Sequence, residues 1–295
     1  MANDAADVAR ADPPFSAIET DRLIIRAPVI EDLDFIVARR NDPEVARYQD
    51  WTLPHPPEKT KAKLEAAIAQ GGFVDGQSWM ATVARRDTGL PIGDLYTKIV
   101  WDWRVAEVGY TFDSAQWGHG YAAEAFTAML NHLFDDRGIV RASATLHPDN
   151  VASRLLLERA GFSFEGMTKQ SFWVGDEISD DGFYGLTKAD RDAWMNRPTG
   201  PATNVGLVEI THENARAVRL LETHKSQEQM VAPVAVSFAN ALFPEHVDGH
   251  PVLPRMWAIE ADEDLAGFVM IADTTDHHPE PYLWRLLIDL SLIHI

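Results

Sequence analysis

The hydrophobic period changes twice between Val105 and Leu146, and this limits what the chain can fold into. Val105–Phe112 alternates as a strand. Ala122, Phe126, Met129, Leu130 and Leu133 then recur three or four apart, which predicts a helix over Tyr121–Phe134. Val140–Leu146 alternates again. A strand, a helix and a second strand in that order make a parallel step. The turn that opens the helix is Trp117-Gly118-His119-Gly120. Its glycines let backbone amides approach a ligand, and the first helical turn has unpaired N–H groups and a positive dipole end. Together they suit a diphosphate. A tight packing turn would read the same way from this segment alone. No Gly-Lys-Ser/Thr follows, so the turn is not a P-loop. A third glycine is missing, so it is not a dinucleotide fingerprint.

The flanking segments fill in the sheet. Arg22–Arg26 reads as a strand, Glu31–Arg40 as a helix, and Pro57–Gln70 as a helix that Gly71 stops. Trp79–Arg85 and Gly93–Val100 read as strands, with a turn at Asp102 before Val105. Val151–Ala160 is predicted helical, and Phe164–Phe172 and Ile178–Leu186 are predicted strands. The expected fold class is α/β (α+β), with a mixed, mostly antiparallel twisted sheet flanked by helices.

Asn196–Asn204 holds two prolines and a glycine, which fits a linker. The expected organisation is a domain over 15–196, a linker over 197–204 and a second unit over 205–295. Charge density rises after the linker. Residues 1–204 carry 21 basic and 31 acidic side chains, and residues 205–295 carry 5 and 14. The whole chain has 26 Lys and Arg against 45 Asp and Glu, a net of −19. That charge disfavours nucleic acid and anionic membrane as partners and favours cations, although it also serves solubility. There are no cysteines, which excludes disulfides, thiolate nucleophiles and cysteine metal sites. No metal site is expected, and His277-His278 lacks ligand spacing. No stretch approaches the about 20 apolar residues of a membrane helix, and Met1–Pro14 does not read as a secretory signal. A cytoplasmic location is expected, and a homo-oligomer is left open.

Several segments in order resemble the GNAT superfamily of acyl-CoA-dependent N-acyltransferases, in the branch of ribosomal-protein N-terminal acetyltransferases. Thr20-Asp21-Arg22-Leu23 with Arg26 is similar to its opening strand. Asn41-Asp42-Pro43-Glu44-Val45 is similar to its first interhelical segment. Val108-Gly109-Tyr110 with Trp117–Ala122 is similar to its fourth strand and pyrophosphate loop. Asn150–Arg154 with Ala160-Gly161-Phe162 is similar to the next helix. The usual loop begins with Gln or Arg. Here Trp117 holds that position and Gln116 lies one residue early.

The resemblance implies acetyl-CoA as co-substrate and a primary amine on a peptide or small molecule as acceptor. The diphosphate would rest on the amides of Trp117, Gly118, His119, Gly120, Tyr121 and Ala122. The pantetheine arm would follow Gly109, Tyr110, Thr111 and Phe112, beside Asn150. Glu107 is the candidate general base, though it reads equally as a solvent-facing strand residue. Ser153 would lie near the departing thiol. Asn150 and Ser153 also suit the start of a helix. Tyr184 is a candidate acid or a strand aromatic. Acceptor specificity is expected in Arg40–Gln70, with Tyr48 and Trp51, and in Lys169–Asp181. A non-catalytic acyl-CoA sensor would use the same cradle.

In the second unit, Gly206–Ile210 reads as a strand, and Glu213–Glu222 and Val231–Phe243 read as helices. Met256–Ile259 echoes Trp79–Thr82, Gly267–Met270 echoes Gly93–Tyr96, and Trp284–Ile288 echoes Trp103–Glu107. This resembles the first half of a second GNAT-like domain of the spermidine/spermine type. It lacks the pyrophosphate loop, and Leu290–Ile295 reads as a truncation.

Overall fold

The computed structural model describes residues 14–197, 200–221, 223 and 230–289. Residues 1–13, Pro198 and Thr199 of the expected linker, Glu222, residues 224–229, and Leu290–Ile295 lie outside the described residues. The chain divides into two compact units, Met1–Asp192 and Ala193–Ile295.

The first unit opens with strands β1 (Ile18–Glu19) and β2 (Leu23–Arg26). Three helices follow: α1 (Leu33–Arg40), α2 (Pro43–Ala46) and α3 (Pro57–Gln70). Strands β3 (Ser78–Arg85), β4 (Pro91–Val100) and β5 (Val105–Phe112) form an antiparallel meander. Helix α4 (Tyr121–Asn131) crosses to β6 (Arg141–Leu146), and α5 (Val151–Arg159) leads to the β7 (Ser163–Val174) and β8 (Glu177–Thr187) hairpin. Helix α6 (Lys188–Met195) comes next, and the division between the two units falls within it. The sheet order is β1-β2-β3-β4-β5-β6-β8-β7, and β5–β6 is its parallel pair.

The core lies where α4 packs on β2, β4 and β5. Ala125, Phe126, Met129, Leu130 and Leu133 are all buried there. They are one helical face, since residues three and four apart stack on the same side. The predicted Glu31 start of α1 is instead a 3₁₀ turn at Ile30–Asp32. The Asp32 carboxylate turns inward there and accepts from Arg26, Thr82 and the Val29 amide.

The second unit is a sheet of order β14-β13-β12-β9, all pairs antiparallel, made of β9 (Val205–Glu209), β12 (Leu253–Ala261), β13 (Asp264–Asp273) and β14 (Tyr282–Ile288). Helices α7 (Ala215–Arg219) and α8 (Val234–Leu242) and the small hairpin β10–β11 (His246–Val247, His250–Pro251) lie between β9 and β12 in the chain. Val218, Val234, Ala258, Phe268, Met270 and Leu287 form its core. Helix α8 starts later than the predicted Val231, because Pro233 stands at its N-cap in an extended conformation. Helix α7 is shorter than the predicted Glu213–Glu222. Thr211, Glu213 and Asn214 spend their side chains on a local turn, where Asn214 Oδ1 accepts from the Thr211 amide at 2.8 Å.

Both units run strand, helices, then three antiparallel strands, with the first strand beside the second. Gly93 and Gly267 hold matching places. A Cβ at Gly93 would meet the Phe112 ring at 2.7 Å, and one at Gly267 would meet the Leu287 carbonyl oxygen at 2.3 Å. Each strand presses on its neighbour too closely for a side chain at that point.

Candidate active site

The site begins where the two parallel strands separate. β5 and β6 pair only at Val105–Arg141, Ala106–Ala142 and Glu107–Ser143. Beyond that, β5 stays bonded to β4 as far as Phe112, and β6 stays bonded to β8 as far as Leu146. From Val108 to Phe112 the β6-facing edge of β5 therefore has no strand beside it. A cleft of about 670 Å³ opens there, lined by Glu107–Thr111 of β5 and Ser143–Leu146 of β6. Tyr48, Trp51, Lys63 and Gln70 line it from the helical side, and Phe172, Asp181 and Phe183 from the β7–β8 hairpin.

The cleft brings together Glu107, Tyr110, Thr111, Asn150 and Ser153 among the sequence-predicted residues. Phe112, the last residue of β5, and Trp117–Ala122, which follow the strand, are not among its lining residues. Glu107 is half-exposed and lies 3.8 Å from Lys98, its cross-strand neighbour. Asn150 caps α5: its Oδ1 accepts from the Ser153 amide at 3.1 Å. Tyr110 is turned into the core, where its ring meets Phe126 edge-on at 4.9 Å. Its hydroxyl donates to the Ser153 carbonyl at 3.0 Å, and burial pushes the phenol pKa far up. Tyr110 thus anchors β5 to the start of α5. Phe112 is buried under Gly93, and its carbonyl accepts from the Trp117 indole at 3.1 Å. Tyr184 is 1% exposed and packs on Phe164, so it is a core aromatic.

The glycine turn leaves the start of α4 without a side-chain cap. Gly118 and Gly120 have φ of 78° and 77°, the left-handed region that side chains avoid. Gly120 is the N-cap of α4, and no side chain caps that end. Sequence reading missed what holds the turn. Arg22 donates to the His119 carbonyl at 2.9 Å and to Glu124 at 2.6 Å, and its guanidinium lies 4.7 Å over the Tyr121 ring. Glu124 also accepts from Thr20. Burial alone would raise the Glu124 pKa, but the hydrogen bonds from Thr20 and Arg22 hold it below the usual range. Thr20 and Arg22 were legible only as an opening-strand motif.

The far end of β5 is pinned from α1. Arg39 is buried, pairs with Asp94 of β4, and donates to the Thr111 carbonyl at 3.0 Å. Asp42 caps α2 and accepts from Ser114 in the turn after β5. That bond is the main reason its pKa lies below the usual carboxylate range. Asn41 holds the His55 segment by its amide and its carbonyl, at 3.2 and 2.9 Å. The His147 ring packs against Tyr48 at 5.1 Å, tilted by 32°. On the hairpin, Lys169–Ser171 oppose only Asp180, a bulge with Gln170 at φ 53°. It shifts Phe172 to pair with Ser179, and Phe172 lines the cleft. Among the described residues no group of three His, Asp or Glu could hold a metal, and no helix is long and apolar enough to cross a membrane.

The mixed sheet is thus split after its parallel pair, and an uncapped glycine turn follows the end of the split strand. The chain belongs to the GNAT acetyltransferase family: residues 22–163 match its acetyltransferase domain. An uncharacterized N-acetyltransferase of Bacillus subtilis, YoaA, is 30% identical over 175 residues, covering 59% of this chain and 98% of that protein. Among solved structures, a GNAT-family acetyltransferase from Bacillus anthracis aligns with a TM-score of 0.52 at 22% identity, over 59% of this chain and 99% of that one. RimL, a ribosomal L7/L12 α-N-protein acetyltransferase in complex with coenzyme A, aligns at 0.52 and 22% identity, over 60% of this chain and 100% of that one. At such identities these two structures speak to the fold.

Proposed function

We propose that the chain transfers an acetyl group from acetyl-CoA to a primary amine, on a protein N-terminus, an amino acid or a small amine, by direct attack. The observation that carries this reading is the free edge of β5 from Val108 to Phe112, which leads into the uncapped glycine turn. The diphosphate of acetyl-CoA lies on the amides of Trp117–Ala122, at the positive end of α4. The pantetheine arm fills the place of the missing strand beside Gly109–Phe112, with Asn150 at its flank. A backbone amide near Tyr110 polarises the thioester carbonyl. The amine nitrogen bonds to the acetyl carbon, the C–S bond breaks, and the sulfur leaves as thiolate. Glu107 takes the proton the amine sheds, through a water molecule. Ser153 lies toward the departing thiolate, which takes a proton from water and leaves as free CoA. The CoA-bound relative supports this use of the fold.

Residues 205–295, after a linker at 197–204, are read as the first half of a second domain of the same kind, resembling the spermidine/spermine-type enzymes. The shared strand order and the matched glycines Gly93 and Gly267 support that reading.

Glu107→Gln tests the mechanism. Calorimetry should find acetyl-CoA binding unchanged, while thiol release with an accepted amine falls about 10²–10⁴-fold. Unchanged turnover would remove Glu107 from the reaction.

A further inference from the structure

Two adjacent arginines end α1, and they differ in one respect. Arg39 is paired with Asp94. Arg40 is also buried, at 9% exposed, and lines the cleft, yet no carboxylate among the described residues forms an ion pair with it. Its guanidinium lies 5.0 Å over the Trp51 ring, and Trp51 donates its indole N–H to the Arg40 carbonyl at 2.9 Å. One Nη is 3.5 Å from His55 Nε2, a long contact, and Nε is buried with no partner at all. Burial lowers the pKa of Arg40, and burial together with Arg40 lowers that of His55. Asp94 and Asp50 attract Arg40 from farther off, but Asp94 is engaged by Arg39 and Asp50 is exposed. A buried guanidinium without an anion is costly, and its stacked face and spare N–H groups suit a carboxylate that arrives with a ligand.

The charges of the rest of the lining are partly sorted. Lys63 of α3 joins Arg40 on the helical side, where the exposed Asp50 also stands, while Asp94 of β4, Glu107 of β5 and Asp181 of β8 stand on the sheet, Asp94 already paired with Arg39. We infer that the acceptor carries a carboxylate as well as its amine, and that Arg40 binds that carboxylate while the amine faces Glu107. This rests on the acetyl-transfer reading above. The carboxylate is either the α-carboxylate of a free amino acid or an acidic side chain beside the N-terminus of a peptide.

The test pairs each free amino acid with its α-amide, and N-terminal peptides having Asp or Glu at the second position with those having Asn or Gln. Thiol release from acetyl-CoA should give kcat/KM about tenfold or more higher for the acid member. The series that shows the preference names the source. Arg40→Met should abolish it mainly through the acceptor KM, and Arg40→Lys should keep part of it, with acetyl-CoA affinity unchanged in both. Equal use of acid and neutral acceptors by the unmodified protein overturns the inference, as does a preference that survives in Arg40→Met. If Arg40→Met does not fold, the unmodified protein and Arg40→Lys still decide. Failure of the folded protein to bind acetyl-CoA overturns the transfer reading instead. In that case, or if no acceptor turns over, melting decides: the acids must raise Tm and the amides must not, and absence of that difference overturns the carboxylate site.

Discussion

Arg39→Met is the perturbation whose size is best defined. The Arg39 side chain is 1% exposed and that of Asp94 is 9% exposed, so neither charge has water to fall back on. Removing one partner of such a pair leaves the other charge buried and costs about 3–5 kcal/mol. In a unit of this size each kcal/mol moves Tm by about 2–4 °C, so the expected fall is about 6–20 °C. The lower half is favoured, because Arg39 Nε is itself buried without a partner and the intact pair recovers only part of its desolvation. Arg39→Met/Asp94→Asn, which removes the stranded charge, should regain about 2 kcal/mol over the single variant. The Thr111 carbonyl loses its donor in both variants, so the free edge of β5 is less well held in both. Stability and acetyl-CoA affinity therefore separate: the double variant regains melting temperature and does not regain affinity. Scanning calorimetry measures the first, following the transition of the first unit, and titration calorimetry measures the second. A single variant that loses under about 1 kcal/mol would refute the buried-charge argument, as would a double variant no more stable than the single.

Tyr110→Phe removes a buried hydroxyl that serves the Ser153 carbonyl; the expected cost is about 1 kcal/mol, or about 2–4 °C in Tm. Turnover should stay within about threefold, and a large fall in kcat at unchanged Tm would make the phenol a participant in the reaction. Asp32 sets part of the acid limit. Burial pushes its pKa up, but the hydrogen bonds from Arg26, the Val29 amide and Thr82 outweigh it and hold the carboxyl below its ordinary 3.8. A depressed carboxylate stabilises the native state fully above its unfolded value, and that contribution is lost as pH falls through the native value. Urea midpoints should therefore drop below about pH 4, and Asp32→Asn should flatten that drop. Equal acid slopes in the two proteins would dismiss the Asp32 network as its source.

The strands and the long helices were legible because each repeats its burial period several times. Val105–Phe112 and Pro57–Gln70 fall on the boundaries that alternation, an N-terminal proline and a terminal glycine mark. The parallel step followed from element order alone. What escaped the sequence depends on side chains far apart in the chain, such as Arg22 with Glu124, or on a register slip, such as the bulge at Lys169–Ser171. Neither leaves a local pattern. The two arginines of α1 are the sharpest case. As letters they are identical and adjacent. On a helix, consecutive side chains point about 100° apart, so one meets Asp94 and the Thr111 carbonyl while the other meets Trp51 and the cleft. The one with a carboxylate partner holds β5 through the Thr111 carbonyl, and the other is the one proposed to meet the acceptor. The segment expected to govern acceptor choice begins at Arg40, and its composition alone did not single that residue out. Selectivity of this kind is written in which donors remain unpaired after folding, a quantity that exists only once the neighbours are in place.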